Sequence, residues 1–489
     1  MSAILERLRP LFYPRGIIVT GVSTHPGKFG SVAYHNLIAN GYAGELFPIN
    51  RDGATCFGRP TYKAIADVPS RRADLAFICT PNTVNEEILR ACAAIGVRAA
   101  FVASAGYGEA ADGKDMEQRL VALGRDLGIV IAGPNGQGLV STPARMCAQI
   151  VAPYPPPGPI SVASQSGNIA SSFMNYGCLA GIGMSKAISC GNSAQLEIAD
   201  YLEYFGEDPD TEVSLAYLEG IADGRRFLDV ARAHALRKPL VLVRGGVTGA
   251  GKRAASSHTG ALASDDRIFA GVCRQAGIVR VETVEEAYDT AAAFATQPLP
   301  RGPRTLLFTV AGGWGVLSSD ACVEAGLDLI PLPDDLRRAI DGMVPARWSR
   351  SNPIDLAGGE TRDTIPEVLE LAAAHPDVDA VVYLGIGIQA AQAQMFRGGP
   401  FWPDHGLERI GTFHESQDRR YARAAAEASR RHDKPILVAS ELVYTDRAYG
   451  NAGPLGVAES GRTTFPSGQR AIRTLARMVR YTRWRARRA

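Results

Sequence analysis

One histidine in this chain sits where a reactive side chain would be wanted. His258 lies in Ser256-Ser-His-Thr-Gly-Ala261, a run of small and hydroxylated residues with Gly245, Gly246, Gly249 and Gly251 just upstream. Such a run builds no core of its own and reads as a loop. An imidazole carried on a loop is largely uncharged near neutral pH and nucleophilic; the same place suits a histidine that only caps the next helix. Glu219 follows Val213-Ser-Leu-Ala-Tyr-Leu218, an expected strand, and open parallel sheets hold their ligands at strand C-termini. A carboxylate there can accept a hydrogen bond from one imidazole nitrogen and leave the other as the attacking lone pair, or it can simply be solvated. Ser166, in Ser164-Gln-Ser-Gly-Asn168, and Asn192, in Cys190-Gly-Asn-Ser193, stand at small-residue turns expected to open helices, the second over Ala194–Phe205. Two such N-termini can converge on one phosphate; taken singly, both residues are also ordinary N-caps.

These groups need a scaffold, and the pattern around them supplies one. To about residue 145, short apolar runs (Gly16–Thr20, Glu45–Asn50, Asp74–Cys79, Ala99–Ala103, Gly128–Ala132) alternate with helical stretches such as Ser31–Asn40. Strands spaced by helices mean a parallel, doubly wound sheet. The first strand runs into Gly21-Val-Ser-Thr-His-Pro-Gly-Lys-Phe-Gly30, a strand, turn and helix of the kind that binds phosphate. NAD does not fit: the glycines miss the G-x-G-x-x-G spacing, and the second strand ends in Asn50-Arg51 where an acid would hold the ribose. A basic residue there suits a phosphorylated ribose, as in CoA or NADP. Pro153–Pro159 marks a stiff linker, Ile160–Ser164 and Pro239–Val243 continue the strands, and Gln297–Pro303 is a second linker before a third α/β unit. Residues 387–420 read as a long loop inserted in that unit, its Phe401, Trp402 and Phe413 serving a lid or interface or packing on their own domain. From Arg470 the chain holds eight arginines and no acid, with Ile472, Leu475, Met478 and Val479 at helical spacing, so a docked terminal helix is expected ahead of a basic patch.

With 489 residues, two to four domains are expected. A net charge of +2 with 46% hydrophobic and 21% charged residues describes a globular protein with no general case for nucleic-acid or membrane binding. The N-terminus carries charges where a signal peptide needs an apolar stretch, and no apolar run is long enough to span a bilayer. Eight cysteines lack any C-x-x-C or metal-ligand spacing, which implies reduced thiols, a cytoplasmic protein and no metal site in the chain.

The motifs carry a resemblance. Ser256–Ser264 resembles the active-site loop of NDP-forming acyl-CoA synthetases, the superfamily of succinyl-CoA synthetase and ADP-forming acetyl-CoA synthetase, in which the histidine is transiently phosphorylated; Ser264 stands where the family motif usually ends in Gly. Residues 48–50 (PIN), 79–82 (CTPN), 104–109 (SAGYGE) and 133–138 (GPNGQG) resemble that superfamily's CoA-binding domain, and the AGGWG at 311–315 and NPIDL at 352–356 its second flavodoxin-like domain.

The resemblance implies a Rossmann-like CoA-binding domain over 1–150, a flavodoxin-like domain over 158–298 with the phosphohistidine loop, and a second flavodoxin-like domain over 303–489 with the insertion 387–420. It places Gly21, Ser23, Lys28, Asn50, Arg51, Thr80, Pro81, Glu109 and Asn135 near CoA. Ser166, Gly167, Asn168, Gly191 and Asn192 would hold phosphate, His258 would carry the phosphoryl group, and Glu219 would hold the histidine. The implied activity interconverts acyl-CoA, phosphate and ADP with a carboxylic acid, CoA and ATP. No stretch resembles an ATP-grasp domain, so a separate ATP-grasp β-type subunit is expected to bring ATP/ADP and Mg²⁺, in an oligomer. One departure bears on turnover: Gly136, then Gln137, stand where the family commonly has Cys and an apolar residue, in a loop near the thiol end of CoA in the relatives. Two other functions therefore stay open, a catalytically silent CoA- or acyl-CoA-binding protein and a nucleotide-independent acyl or carbamoyl transferase; an NADP dehydrogenase is more distant.

Overall fold

The computed structural model describes residues 2–110, 112–151, 153–253, 265–344, 346–359 and 361–488. The chain forms two compact units, Met1–Cys178 with Gly183–Ala287, and Leu179–Ile182 with Tyr288–Ala489.

The first unit holds two sheets. In the first, β1 (Gly16–Val19), β2 (Glu45–Pro48), β3 (Leu75–Ile78), β4 (Ala99–Val102) and β5 (Val130–Ala132) run parallel in the order β2-β1-β3-β4-β5. β1, β3 and β4 are buried at every residue, as expected for strands covered on both faces. The second sheet comprises β6 (Gly138–Ser141), β7 (Met146–Gln149), β8 (Pro157–Ser164), β9 (Met184–Ser189), β10 (Val213–Leu218), β11 (Leu240–Arg244) and β12 (Val279–Val281), in the order β12-β11-β10-β8-β9-β6-β7. β8 to β12 are parallel, whereas β6 pairs antiparallel with both β7 and β9. The sheet therefore changes ahead of the proline-rich stretch: residues 138–149, grouped by sequence with the first domain, already belong to the second sheet, and β8 begins at Pro157 inside the expected linker.

An N-terminal helix, Ala3–Phe12, ties the two sheets together. Phe12 packs on Tyr204 with ring centroids 4.9 Å apart, and Arg7 bonds Asp200 at 3.2 Å. Beside them Lys186, fully buried, is bonded to Asp208 at 2.7 Å and Asp210 at 3.1 Å, with its ammonium 4.9 Å from the Tyr13 ring centroid. Buried so deeply, this cluster is costly to break from one side, since the partner left behind would be an uncompensated charge.

The second unit carries a sheet of β13 (Arg304–Thr309), β14 (Asp328–Leu329), β15 (Ile354–Asp355), β16 (Ala380–Leu384), β17 (Ile436–Ala439) and β18 (Thr464–Phe465), ordered β14-β13-β16-β17-β18 with β15 also on β13. The insertion 387–420 is not a loop. It is the helix Ile388–Arg397, a short turn, and the first half of the 26-residue helix Leu407–His432. Its aromatics divide: Trp402 packs beside Gly411, while Phe401 and Phe413 are exposed. Asp418, buried, reaches from the long helix to the start of the shorter one and accepts from Gly387 N at 3.2 Å and Ala390 N at 2.6 Å. The terminal helix Gly468–Ala486 buries Ile472, Leu475, Met478 and Val479.

All eight cysteines are free, and burial pushes the thiols of Cys79, Cys92, Cys147, Cys273 and Cys322 up to about 12. Among the described residues no helix is long and apolar enough to cross a membrane, and no cluster of three or more His, Cys, Asp or Glu could hold a metal.

Candidate functional site

Both sheets of the first unit reverse their winding direction at one point, between β1 and β3 in the first and between β8 and β10 in the second. Adjacent strands there send their connections to opposite faces, and the diverging loops leave a crevice beyond the strand C-termini.

At the β1–β3 crevice the chain turns through Gly21 at φ +71°, a conformation L side chains rarely adopt, and a Cβ there would lie 2.9 Å from Cys79 O. Gly30 lets the helix Phe29–Ala39 start against that turn: a Cβ would meet Thr20 O at 2.4 Å. Asn50 fixes the neighbouring loop, donating to Val22 O at 2.8 Å and accepting from Asp52 N and Ala54 N at 3.0 and 3.3 Å. Its amide is thus spent on the scaffold. The Thr80 hydroxyl likewise donates to Asn85 Oδ1 at 2.9 Å, and Asn85 Nδ2 reaches Ser104 Oγ and Tyr107 OH, both at 2.8 Å. Ser23 Oγ accepts from His25 N at 3.1 Å. Lys28, Arg51 and Pro81 are exposed, on the loops that follow β1, β2 and β3, and two cations with a glycine turn are a donor set whose chemistry fits the phosphates of CoA.

At the β8–β10 crevice, Ser164 Oγ closes a tight turn onto Ser166, and the helix Gly167–Ala180 begins. Gln165 spans the crevice: its Oε1 accepts from Glu219 N at 2.6 Å and Gly220 N at 3.1 Å, and its Nε2 donates to Gly220 O at 3.0 Å. Glu219 is buried, and Tyr217 hydrogen-bonds it; burial first, then the Glu219 charge and that bond, push the Tyr217 phenol up to about 12. Gly245, the first residue after β11, lies beside this pair, where an added Cβ would be 2.4 Å from Tyr217 OH and 3.6 Å from Glu219 Cγ. From Gly245 the chain runs on to 254–264, and His258 lies outside the described residues.

Three residues expected on two different ligands, Glu109, Asn135 and Asn192, share one region. Asn192 Nδ2 donates to Glu109 Oε2 at 2.5 Å and Glu117 Oε2 at 2.7 Å, while Asn135 Nδ2 donates to Asn192 Oδ1 at 3.3 Å. Nearby, Gln137 Nε2 donates to Asn168 Oδ1 at 2.9 Å and Gln137 Oε1 accepts from Ser171 Oγ at 3.2 Å. Burial alone would raise the Glu109 carboxyl, but bonds from Asn192, Gly106 and Tyr107 hold it below the ordinary carboxylate range. Gly191, at φ +55°, seats this loop so closely that a Cβ would be 2.0 Å from Pro134 O. Asn192 caps no helix, because the helix expected from Ala194 starts at Ile198. Gly136 is a packing position: a Cβ there would lie 2.6 Å from Phe101 Cζ and 2.7 Å from Ser189 O. Glu117 had no signal in the sequence, being one surface-type acid on a helix 75 residues from Asn192.

The chain is similar to known proteins throughout. A CoA binding domain family matches residues 15–141, a succinyl-CoA ligase like flavodoxin domain family 157–294, and a ligase-CoA domain family 305–390. The alpha subunit of the ADP-forming acetate–CoA ligase I of Pyrococcus furiosus is 33% identical over 98% of both chains. The ADP-forming 4-hydroxybutyrate–CoA ligase of Nitrosopumilus maritimus is 30% identical over 97% of this chain, which spans 64% of that protein's length. Among solved structures, the dinucleotide-forming acetyl-coenzyme A synthetase 1 of Ca. Korarchaeum cryptofilum, in complex with phosphate and ADP, superposes with a TM-score of 0.83 and 31% identity over 98% of this chain and 97% of that one.

Proposed function

The chain belongs to the ADP-forming acyl-CoA ligase family, aligning with an alpha subunit over 98% of its length, and on that premise we propose that it is the half of such a ligase that binds CoA, makes the acyl phosphate and carries the phosphoryl group on His258. A separate ATP-grasp subunit completes the enzyme and holds ADP or ATP with Mg²⁺. The observation that carries the proposal is Glu219: a carboxylate 6% exposed at the end of β10, clamped through its backbone by Gln165 and beside Gly245, where β11 hands the chain on toward His258.

In the first step a phosphate oxygen attacks the thioester carbonyl of acyl-CoA, the C–S bond breaks, and CoA leaves as the thiolate and takes up a proton. The helix dipole at Gly167 favours the dianion, with Ser166 just ahead of the helix and Asn168 on its first turn. An imidazole nitrogen of His258 then attacks phosphorus and the carboxylate leaves with the bridging oxygen. Glu219 holds the second ring nitrogen and stabilises the charged ring. Finally the β-phosphate of ADP attacks the phosphohistidine and forms ATP. CoA lies at the β1–β3 crevice, its phosphates on the Gly21 turn between Lys28 and Arg51. The eight free thiols support a cytoplasmic setting.

A second reading, an acyl-CoA-binding protein without turnover, draws on one observation: Asn192 is occupied by Glu109 and Glu117, whose charges oppose an anion at that point. Purified chain incubated with acyl-CoAs and labelled phosphate, with and without an ATP-grasp subunit, separates the two. Acid-labile label on the wild type and none on His258→Ala establishes the phosphohistidine route. CoA binding without label under every condition selects the second reading.

A further inference from the structure

The second unit gathers cations at the N-terminal end of its sheet, the end opposite the turn at 311–315. β13, β16 and β17 lie side by side and parallel there: Arg304 begins β13, Asp379 immediately precedes β16, and Lys434 stands two residues before β17. A cavity of about 580 Å³, within the ~300–1,000 Å³ range of small-molecule sites, opens among Arg301, Arg304, Asp379, His432 and Lys434.

Its charges do not cancel. Arg304 is spent on the acids, holding Asp379 at 2.9 and 3.0 Å and Asp377 at 3.2 Å. Arg431 and His432 each reach Glu370 at 2.8 Å. Two cations are left over. Lys434, 7% exposed, donates to His375 O at 2.6 Å, and among the described residues no carboxylate forms an ion pair with its ammonium. Arg301 meets Asp433 at 3.5 Å with both side chains largely exposed, a contact of little strength. Burial lowers the Lys434 ammonium first; the Arg301 charge comes next, and with Arg304 it outweighs the pull of Asp379. Guanidinium and ammonium therefore face one place. One strand over, Arg462, 5% exposed, bonds the neutral Gln297, and burial and then Arg430 lower it to about 10, so this end of the sheet stays positive beyond the cavity. A buried ammonium without a counter-charge burdens the fold, and an anion that supplies one is held by charge-assisted hydrogen bonds.

We propose that this cavity binds a dianionic phosphoryl group, free or on a small organic carrier, between Arg301 and Lys434. Two cations facing one place suit two charges on one compact group; the planar guanidinium fork matches phosphoryl oxygens, and the ammonium adds a point charge. The site belongs to the second unit alone, and it stands independently of the ligase reading.

The test is thermal melting of the full chain, followed by tryptophan fluorescence because all four tryptophans lie in the second unit. Inorganic phosphate, glycerol 3-phosphate and succinate are compared with ionic strength fixed by sodium chloride. At about a hundredfold excess over its Kd, a phosphoryl probe should raise the midpoint by roughly 5–10 °C, and succinate should not. A larger rise with glycerol 3-phosphate identifies an organic carrier, and equal rises the free ion. Arg301→Gln, on the surface, should melt like the wild type without anion and need at least about tenfold more probe for the same rise. Lys434→Met should melt no lower than the wild type without anion and lose the rise; Arg301→Gln decides alone if Lys434→Met does not fold. No rise with either phosphoryl probe, a larger rise with succinate, or a rise unchanged in Arg301→Gln would overturn the site.

Discussion

Replacing Asn192 by Asp should invert the pH dependence of the first unit's stability. In the wild type one amide donates to two carboxylates, Glu109 at 2.5 Å and Glu117 at 2.7 Å. A hydrogen bond to a charged group contributes about 1.5–3 kcal/mol in a dry setting. Both acids are only half-buried, so solvent screening brings the loss of the pair to about 2–3 kcal/mol. For a unit of this size that is a fall in Tm of about 4–8 °C. The sign of the pH profile carries the sharper information. Glu109 sits below its ordinary range in the folded protein, so its stabilisation is complete above about pH 5 and is lost as pH falls below the unfolded value of about 4.3 towards the lower folded one. In Asn192→Asp three carboxyls crowd one point and at least one titrates above its unfolded value, so the variant loses stability as pH rises from about 4 to 7. Scanning calorimetry of the full chain between pH 4.5 and 8 reads the difference. Asn192→Leu serves as the control that removes the bonds without adding charge, and its deficit should not grow with pH. An Asn192→Asp curve running parallel to the wild type across that range would refute the network.

Other outcomes follow from single positions. Gly30→Ala puts a methyl 2.4 Å from Thr20 O, which forces the helix Phe29–Ala39 back by about 1 Å and should weaken CoA binding tenfold or more by calorimetric titration. Gly136→Cys drives a side chain into Phe101 and Ser189 O and should cost about 1–3 kcal/mol in thermal melts rather than restore any function. Asp418, pushed up to about 7 by burial against the opposing bonds from Ala390 N and Gly387 N, should cost the second unit stability as pH rises from about 4 to 7. Asp418→Asn should remove that slope, and tryptophan fluorescence reads it cleanly because Trp314, Trp348, Trp402 and Trp484 all lie in the second unit.

The parallel strands were legible because burial on both faces leaves only apolar residues to write them with, as in Leu75–Ile78 or Ala380–Leu384. The antiparallel pair Gly138–Ser141 and Met146–Gln149 was not. Those strands are short, joined by Thr-Pro-Ala-Arg, and no local signal says which sheet they join. The helices of 388–397 and 407–432 were hidden by Gly398-Gly-Pro400 and Trp402-Pro403, breakers that look like loop but occupy only the turn between them. At the site, the glycines carried their meaning directly, since Gly21 and Gly30 are needed wherever backbone meets backbone. The Asn192, Glu109 and Glu117 contacts join residues 75 to 83 positions apart, and only the packing of two sheets brings them into reach.

The hairpin β6–β7 also has a meaning for anyone who would cut the gene. Because it leaves the first sheet's run of chain and completes the edge of the second, a truncation at the proline-rich stretch after residue 152 would not release a free CoA-binding module. It would strand two ribbons without their neighbour and strip β9 of its outer partner, exposing unpaired edges on both fragments. The nascent chain faces the same condition on the ribosome: its first sheet can close early, but residues 138–149 must wait for Met184–Ser189 to emerge. In this lineage the two modules would be inherited as one piece, and shuffling should find its breakpoints elsewhere.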